Sequence, residues 1–242
     1  FPTSCVSRPR WQYITSAYFT RQNPNLATMI KAFLFDLDGT LIDSTGPIIK
    51  GFCDASQALG LPRPSRELIL ELIGYPLDFM FARLGVSDDQ IPAIIKAYKE
   101  SYAKSYLAGT TLKAGCDEAL LLAKNTGAKI AAVTTKTSKY SRILLEHLGV
   151  GDYFDTIIGR DDVELPKPDK EPVQKALLTL GEEPKTALMI GDTIMDALSA
   201  KAAGAMAFGV LCGYGKEKDL KEHCDYVFAD ALAAVEFALK NH

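Results

Sequence analysis

The sequence contains no long apolar run, no excess of positive charge and no repeated or low-complexity tract. No hydrophobic stretch approaches the ~20 residues that a helix needs to cross a membrane. The formal net charge of −3 provides no attraction for nucleic acid or for an anionic membrane, so neither is expected as a partner. These absences predict a soluble, cytoplasmic protein.

Cysteine is also scarce, and its distribution fits neither a disulfide framework nor a zinc site. The cysteines are odd in number and widely spaced, and none belongs to a CxxC or Cys/His pattern. We therefore expect reduced thiols, in the core or on the surface, at Cys5, Cys53, Cys116, Cys212 and Cys224.

Residues 1–28 lack acidic side chains altogether, although they carry arginines and several serines and threonines. Met29 follows them, directly before the first predicted strand. We interpret 1–28 as a leader, or as an extension upstream of the natural start, that carries no catalysis. A basic segment of this composition is also typical of an organelle transit peptide.

The rest of the chain can form a substantial core, since 48% of the 242 residues are hydrophobic. From residue 112 onward, short apolar strands alternate with helices. The pattern predicts helices over 116–126, 138–148 and 171–180, and strands over 128–134, 155–158 and 186–190. Strands separated by helices of this length are typical of an α/β fold with a doubly wound parallel sheet that is covered on both faces.

Residues 43–111 differ from the rest because their apolar side chains show only helical spacing. We predict an all-helical domain over 43–111, inserted into a core domain that is formed by 29–42 and 112–242. A stripe of tyrosines in this segment is interpreted as packing within the insertion, and not as a platform for a ligand. These tyrosines are Tyr98, Tyr102 and Tyr106.

The stretch KAFLFDLDGT, residues 31–40, places two carboxylates directly after an apolar strand. Gly39 allows a sharp turn, which would direct Asp36 and Asp38 toward one reacting group. Two carboxylates this close repel each other, so either one holds a proton or a cation lies between them, and Mg²⁺ prefers such hard oxygen ligands. Taken alone, so short a motif is better explained as an acidic turn at the end of a strand.

Four segments of the chain, spread over residues 29 to about 230, resemble in order the motifs of the haloacid dehalogenase-like (HAD) phosphatases. The matches are DLDGT with Asp36, IAAVTTK with Thr134, the pair Lys167 and Pro168, and LMIGDTIMDAL with Asp192 and Asp196. An insertion directly after the first motif is similar to the helical-cap subgroup of this family. One departure is Lys170, where many relatives have a second proline, and we expect it to alter only the local loop.

The resemblance implies a phosphatase that works through an aspartyl-phosphate on a Rossmann-like core. Asp36 would be the nucleophile, and Asp38 would act as general acid and then as general base. Lys167 would balance the charge of the phosphoryl oxygens, and Thr134 would donate a hydrogen bond to them.

The resemblance also implies a Mg²⁺ cofactor. The ion would be bound by Asp36, by the backbone carbonyl of Asp38 and by Asp192. Asp196 would support the site by holding Lys167 or a metal-bound water.

The segment LIGYPLDFMFARLG, residues 72–85, is similar to phosphoglycolate phosphatases and related pyrophosphatases. This similarity implies a small phosphorylated metabolite, with 2-phosphoglycolate as the first candidate substrate. The carboxylate of such a substrate needs a cation, and Arg63, Arg66 and Arg83 are candidates among which the sequence does not choose. Thr135, beside Thr134, is a further candidate for a substrate contact.

Several other functions are compatible with parts of this pattern. A pyrophosphatase or a β-phosphoglucomutase-type phosphosugar mutase would share every core residue named above, so both stay open. A dehalogenase needs no metal acid and no proton for its leaving group, so Asp38 and Asp192 argue against it. A non-catalytic phosphate-binding protein would not require the nucleophile Asp36. A monomer and a homodimer are both possible.

Overall fold

The structure is a computed structural model that describes residues 30–240. The predicted leader 1–28, with Cys5, lies outside the described residues. The remaining cysteines, Cys53, Cys116, Cys212 and Cys224, are free thiols, as expected. Among the described helices, none has the length and the apolar character needed to cross a membrane.

Within residues 30–240, six parallel strands form one sheet. The strands are β1 (Ala32–Phe35), β4 (Lys129–Val133), β5 (Thr156–Ile158), β6 (Ala187–Gly191), β7 (Met206–Val210) and β8 (Tyr226–Phe228). Their order across the sheet is β5-β4-β1-β6-β7-β8. The central strand β1 pairs with β4 on one side and with β6 on the other, so that Phe35 lies between Ala132 and Ile190. The chain therefore changes direction across the sheet at β1, where such folds place their ligands.

Helices cover both faces of this sheet. They are α5 (Cys116–Asn125), α6 (Ser138–His147), α7 (Glu171–Leu180), α8 (Ile194–Ala203), α9 (Glu217–His223) and α10 (Ala231–Lys240). Single 3₁₀ turns occupy Gly151–Tyr153, Arg160–Asp162 and Pro184–Thr186. Each predicted helix and strand of this region is present, with its ends within about two residues of the prediction.

Alternate residues of β1 belong to two separate cores, because side chains of a strand point to opposite faces. Phe33 and Phe35 pack in the cluster that contains α5, α6 and α10, whereas Ala32 and Leu34 pack against α7 and α8. All four side chains are fully buried. This two-sided burial explains the uninterrupted apolar run in the sequence and confirms the predicted α/β class.

The inserted segment contains four helices in the described structure. They are α1 (Thr45–Ala58), α2 (Arg66–Leu72), α3 (Leu77–Arg83) and α4 (Ile91–Gly109). Phe52 of α1 lies at the centre of their packing, with ring centroids 4.6 Å from Phe81 of α3 and 4.9 Å from Tyr98 of α4. Gly51 allows α1 to approach α4, since a Cβ at this position would lie 2.8 Å from the Tyr98 ring.

The expectation that 43–111 is entirely helical is wrong at both ends of the segment. Short strands β2 (Ile42–Asp43) and β3 (Thr111–Leu112) pair antiparallel, with Asp43 opposite Thr111. The two connections lie side by side, and their backbone N–H and C=O groups form hydrogen bonds with each other. Strands of two residues are too short to show the alternation by which a strand is recognised in a sequence.

The aromatic packing of the insertion predicts a large difference between two neighbouring residues of α3. Phe81→Ala should lower the free energy of unfolding by about 3–5 kcal/mol, because Phe81 is fully buried and its loss leaves a cavity. Phe79→Ala on the same helix should cost less than about 1 kcal/mol, because Phe79 is 43% exposed. Urea unfolding of both variants tests this order, and equal losses would contradict the packing described here.

Candidate active site

Three neighbouring strands deliver polar side chains to the same edge of the sheet. Asp36 directly follows β1, Thr134 follows β4 and Asp192 follows β6. Because the strands are parallel, their carboxyl ends lie side by side, and residues that are distant in sequence meet there. The structure thus brings together the first, second and fourth motifs.

An acidic cluster forms at this edge. One carboxylate oxygen from each of Asp36, Asp192 and Asp196 lies within 4.8 Å of the others, and all three residues are buried. Burial, together with the neighbouring carboxylates, raises the pKa of Asp36 to about 7, although Lys167 acts against this rise. Burial and the charge of Asp36 raise the pKa of Asp192 to about 8. The cluster therefore favours the binding of protons or of a cation.

Groups from two different loops donate hydrogen bonds to the carboxylate of Asp192. Thr40 Oγ1 donates a hydrogen bond to Asp192 Oδ1 over 2.9 Å, and Tyr214 N donates to Oδ2 over 2.8 Å. A Cβ at Gly39 would lie 2.3 Å from Oδ2, and one at Gly213 would lie 2.1 Å from it. Only glycine allows this approach, and Gly39 also has a positive φ of 91°. The Gly-Thr of the first motif thus serves to position Asp192.

Lys167 lies inside the cluster and is almost fully buried. Its Nζ lies 3.0 Å from Asp36 Oδ1 and 2.5 Å from Asp196 Oδ1, and it donates a hydrogen bond to the carbonyl of Val133 over 3.0 Å. Burial alone would lower the pKa of Lys167, but the charges of Asp196 and Asp36 outweigh it and raise the pKa. The ammonium group therefore stays charged beside Asp36.

Asp196 is already satisfied by protein groups. Its Oδ1 accepts from Lys167, and its Oδ2 accepts from Thr193 N over 3.1 Å and from Thr193 Oγ1 over 2.8 Å. These contacts with Thr193 form a capping box at the start of α8. Of the two roles predicted for Asp196, the structure displays the contact with Lys167.

The remaining carboxylate oxygens of the cluster are suitable ligands for a divalent cation. Asp36 Oδ1 is buried and accepts no hydrogen bond from the described residues, although Lys167 Nζ faces it at 3.0 Å. Asp36 and Asp192 are adjacent hard oxygen donors, the kind that Mg²⁺ binds. An ion between them would relieve the mutual repulsion that raises their pKa values.

The side chain of Asp38 belongs to a different environment from that of Asp36. Ser44 Oγ donates a hydrogen bond to Asp38 Oδ1, and Lys136 Nζ lies 3.0 Å from Oδ2. The two carboxylates of the first motif therefore each face a lysine of their own, where the sequence predicted one shared cation or proton. Lys136 was missed, although it lies only two residues after Thr134 in the second motif.

Thr134 is buried at the end of β4. Its backbone N–H donates to the carbonyl of Ile158 over 3.0 Å, and its Oγ1 accepts from Lys136 N over 3.3 Å. A hydroxyl that accepts a hydrogen bond can still donate through its own hydrogen. Thr134 can therefore serve as a donor toward a group bound beside Asp36.

A pocket of about 320 Å³ lies next to Asp38, between the inserted helices and the core. Its walls include Thr135, the residue named above as a candidate for a substrate contact, and the rings of Tyr98, Tyr102 and Tyr140. The interpretation of the tyrosine stripe as packing alone is thus incomplete. Tyr98 and Tyr102 stack with centroids 5.7 Å apart and also face the pocket.

The three arginines proposed for a substrate carboxylate do not line this pocket. Arg63 and Arg66 are exposed in a separate groove beside α1, and Arg83 is exposed at the end of α3. The cations that line the pocket beside Asp38 are instead Lys136, Lys99 and Arg160. No motif marks Lys99 or Arg160, so a single sequence offers no signal for them.

Comparison with known proteins identifies the family. The sequence model of the haloacid dehalogenase-like hydrolases matches residues 33–210, and the chain belongs to this family. It is 35% identical over 207 residues to "Probable phosphatase IndB" of Dickeya dadantii, a match covering 84% of this chain and 90% of that protein. It is also 35% identical over 181 residues to pyrophosphatase PpaX of Bacillus velezensis, covering 75% and 83%.

A third relative is a phosphoglycolate phosphatase of Pectobacterium atrosepticum, with 34% identity over 193 residues, 77% of this chain and 82% of the relative. Among solved structures, a haloacid dehalogenase-like family hydrolase of Streptococcus pneumoniae superposes with a TM-score of 0.79 at 29% identity, over 87% of this chain and 99% of its own. The predicted family and the predicted phosphatase class are confirmed by these matches.

The buried carboxylates predict an unusual dependence of stability on pH. Since the folded-state pKa of Asp192 is raised, the folded protein binds more protons than the unfolded chain, and stability should fall as pH rises from about 4 to about 8. Asp192→Asn should therefore raise the melting temperature at pH 8 in EDTA. Mg²⁺ should raise the melting temperature of the parent at this pH, and that of the variant much less.

Asp155→Asn is the matched control for this experiment. Although burial raises the pKa of Asp155, hydrogen bonds from Ile130 N and Lys124 hold it below its ordinary value. Its replacement should therefore lower the melting temperature at pH 8 and leave the effect of Mg²⁺ unchanged. An Asp192→Asn protein that is less stable in EDTA, or equally stabilised by Mg²⁺, would contradict the site described here.

Proposed function

We propose that this chain is a Mg²⁺-dependent phosphomonoester hydrolase that works through an aspartyl-phosphate at Asp36. The observation that carries this proposal is the placement of Asp36, buried at the end of the central strand between Lys167 and Asp192. Asp38 lies two residues further on, beside a pocket that can hold a leaving group. In this proposal Asp36 is the nucleophile, Lys167 is the fixed cation beside it, and Asp38 is the proton carrier next to it in the chain.

Charge neutralisation is the first requirement of this reaction, because the oxygens of a phosphate monoester repel an incoming anion. Lys167 supplies one fixed positive charge next to Asp36. When bound, Mg²⁺ would supply more positive charge at the phosphoryl oxygens. It would be held by the carboxylates of Asp36 and Asp192 and by the backbone carbonyl of Asp38.

The reaction then proceeds in two steps. A carboxylate oxygen of Asp36 attacks phosphorus, the bond to the leaving oxygen breaks, and Asp38 gives its proton to that oxygen, which leaves as an alcohol. Asp38 next takes a proton from water, and the hydroxide attacks the aspartyl-phosphate. Inorganic phosphate leaves and the carboxylate of Asp36 is restored. Thr134 and Lys167 donate to the phosphoryl oxygens in both steps.

The helical segment completes the proposal as a cap. In the proposed division of the chain into domains, residues 43–111 form the cap and residues 29–42 and 112–242 form the core. Residues of α1, α3 and α4 and the turn before α3 line the pocket from the inserted segment, and the loop after β4 lines it from the core. Opening between them would admit substrate, and closing would exclude bulk water from the aspartyl-phosphate.

The first candidate substrate is 2-phosphoglycolate, supported by the phosphoglycolate phosphatase among the relatives. Its carboxylate would find Lys99 or Arg160 in the pocket, in place of the arginines expected from the sequence. Pyrophosphate is the second candidate, supported by the pyrophosphatase PpaX. A pocket of about 320 Å³ also has room for a sugar phosphate, which is the third candidate substrate. The activity would then be that of a mutase of the β-phosphoglucomutase type.

The test is phosphate release from 2-phosphoglycolate, pyrophosphate, hexose phosphates and 4-nitrophenyl phosphate, with Mg²⁺ and with EDTA. We expect release that requires Mg²⁺ and falls by about 10³-fold or more in Asp36→Asn, because the nucleophile is lost. Asp88→Asn makes the same charge change in an exposed turn and should retain parental rates. Release that persists in Asp36→Asn, or none from a folded parent, would refute the proposal.

A further inference from the structure

Lys136 connects the carboxylate of Asp38 to the cap helix α4. Its Nζ lies 3.0 Å from Asp38 Oδ2 and donates a hydrogen bond to Tyr102 Oη over 2.7 Å. The same ammonium group lies 4.6 Å from the centroid of the Tyr102 ring, within the range of a cation–π contact. One side chain of the core loop after β4 thereby contacts both the proposed acid and the cap.

Both oxygens of Asp38 are engaged by these surroundings. Ser44, at the start of α1, donates to Oδ1, and Lys136 pairs with Oδ2. A carboxylate that is held at both oxygens has little freedom to rotate, so its position relative to Asp36 is set by Ser44 and Lys136. Since Ser44 and Tyr102 both belong to the inserted segment, the orientation of Asp38 depends on where that segment lies.

Stability is a poor explanation for this arrangement. The side chain of Lys136 is only 8% exposed and that of Asp38 is 13% exposed, so both lose most of their hydration. Pairs buried to this extent rarely stabilise a protein more than apolar side chains of the same volume would. A contribution to the reaction is therefore the better explanation for a lysine in this place.

We propose that Lys136 is a positioning residue, which holds Asp38 in place to give its proton to the leaving oxygen and, through Tyr102, makes that placement depend on contact between α4 and the core. This inference rests on the function proposed above. Lys136 would act through Asp38 and would not itself touch the phosphoryl group. Its effect should be confined to substrates whose leaving group needs a proton.

Two substrates distinguish a positioning role of Lys136 from a role in phosphate binding. The leaving group of an alkyl phosphate would be an alkoxide, which needs the proton of Asp38. The leaving group of 4-nitrophenyl phosphate is a stable anion, which does not need it. The constant kcat/KM covers the steps up to the departure of the leaving group and is therefore the quantity to compare. The ratio of the two kcat/KM values, measured on one preparation, is independent of the fraction of protein that is folded.

The experiment compares the parent with Lys136→Met and Tyr102→Phe, using 4-nitrophenyl phosphate and the alkyl phosphate of the panel above that the parent hydrolyses fastest. In Lys136→Met we expect kcat/KM for the alkyl phosphate to fall by about 30-fold or more, and that for 4-nitrophenyl phosphate by less than about 3-fold. Tyr102→Phe, which removes only the hydroxyl, should shift the ratio in the same direction by about 3-fold.

Lys96→Met is the matched control, because Lys96 is an exposed lysine on the same helix α4 as Tyr102 but is not among the residues that line the pocket. It should change the ratio by less than about 2-fold. Equal losses on both substrates in Lys136→Met would overturn the proposal and assign Lys136 to phosphate binding. An unchanged ratio with unchanged rates would overturn it as well.

Failure of this inference is distinguishable from failure of the proposed function. If 4-nitrophenyl phosphate is hydrolysed by the parent and by Lys136→Met but not by Asp36→Asn, the aspartyl-phosphate route holds and only the role of Lys136 is in question. If Asp36→Asn retains activity on both substrates, the proposed function fails, and the positioning role of Lys136 fails with it.

Discussion

The contact on which the rest of this site depends is the buried ion pair between Asp36 and Lys167. Transfer of these two charges out of water is costly, and it is offset only when further groups complete their hydrogen bonds and neutralise them. Lys167 achieves this through Asp196 and the carbonyl of Val133. The ion pair thereby links the ends of β1 and β4 to the first turn of α8, and the carboxyl edge of the sheet is held together by charge as well as by packing.

The two carboxylates of the first motif have separate surroundings despite being two residues apart. Asp36 points into the core, where Lys167 and Asp192 meet it, whereas Asp38 faces Lys136 and the pocket beneath the inserted helices. In the proposed mechanism this separation assigns bond formation to one acid and proton transfer to the other. The acid that must respond to the leaving group is the one that touches the insertion.

Much of the core was predictable because its signals are local and strong. A fully buried parallel sheet requires continuous apolar strands, and residues such as Phe33 and Leu34 show this pattern directly, while helices between strands show their own period. The pairing of Asp43 with Thr111 was not predictable, since strands of two residues carry no pattern. That candidates such as Arg63 do not line the pocket was unpredictable for a similar reason: an arginine is visible in a sequence, but its exposure depends on how the helices pack.

By itself, the sequence determined the α/β class, the order of the motifs and the convergence of Asp36, Thr134 and Asp192, because strand ends in a parallel sheet lie on one edge whatever the details of packing. Only the tertiary structure decided which lysine faces which carboxylate and which side chains line the pocket. Such contacts depend on side-chain positions to within about an ångström, and these are set by the approach of α4 to the core, across segments far apart in the chain.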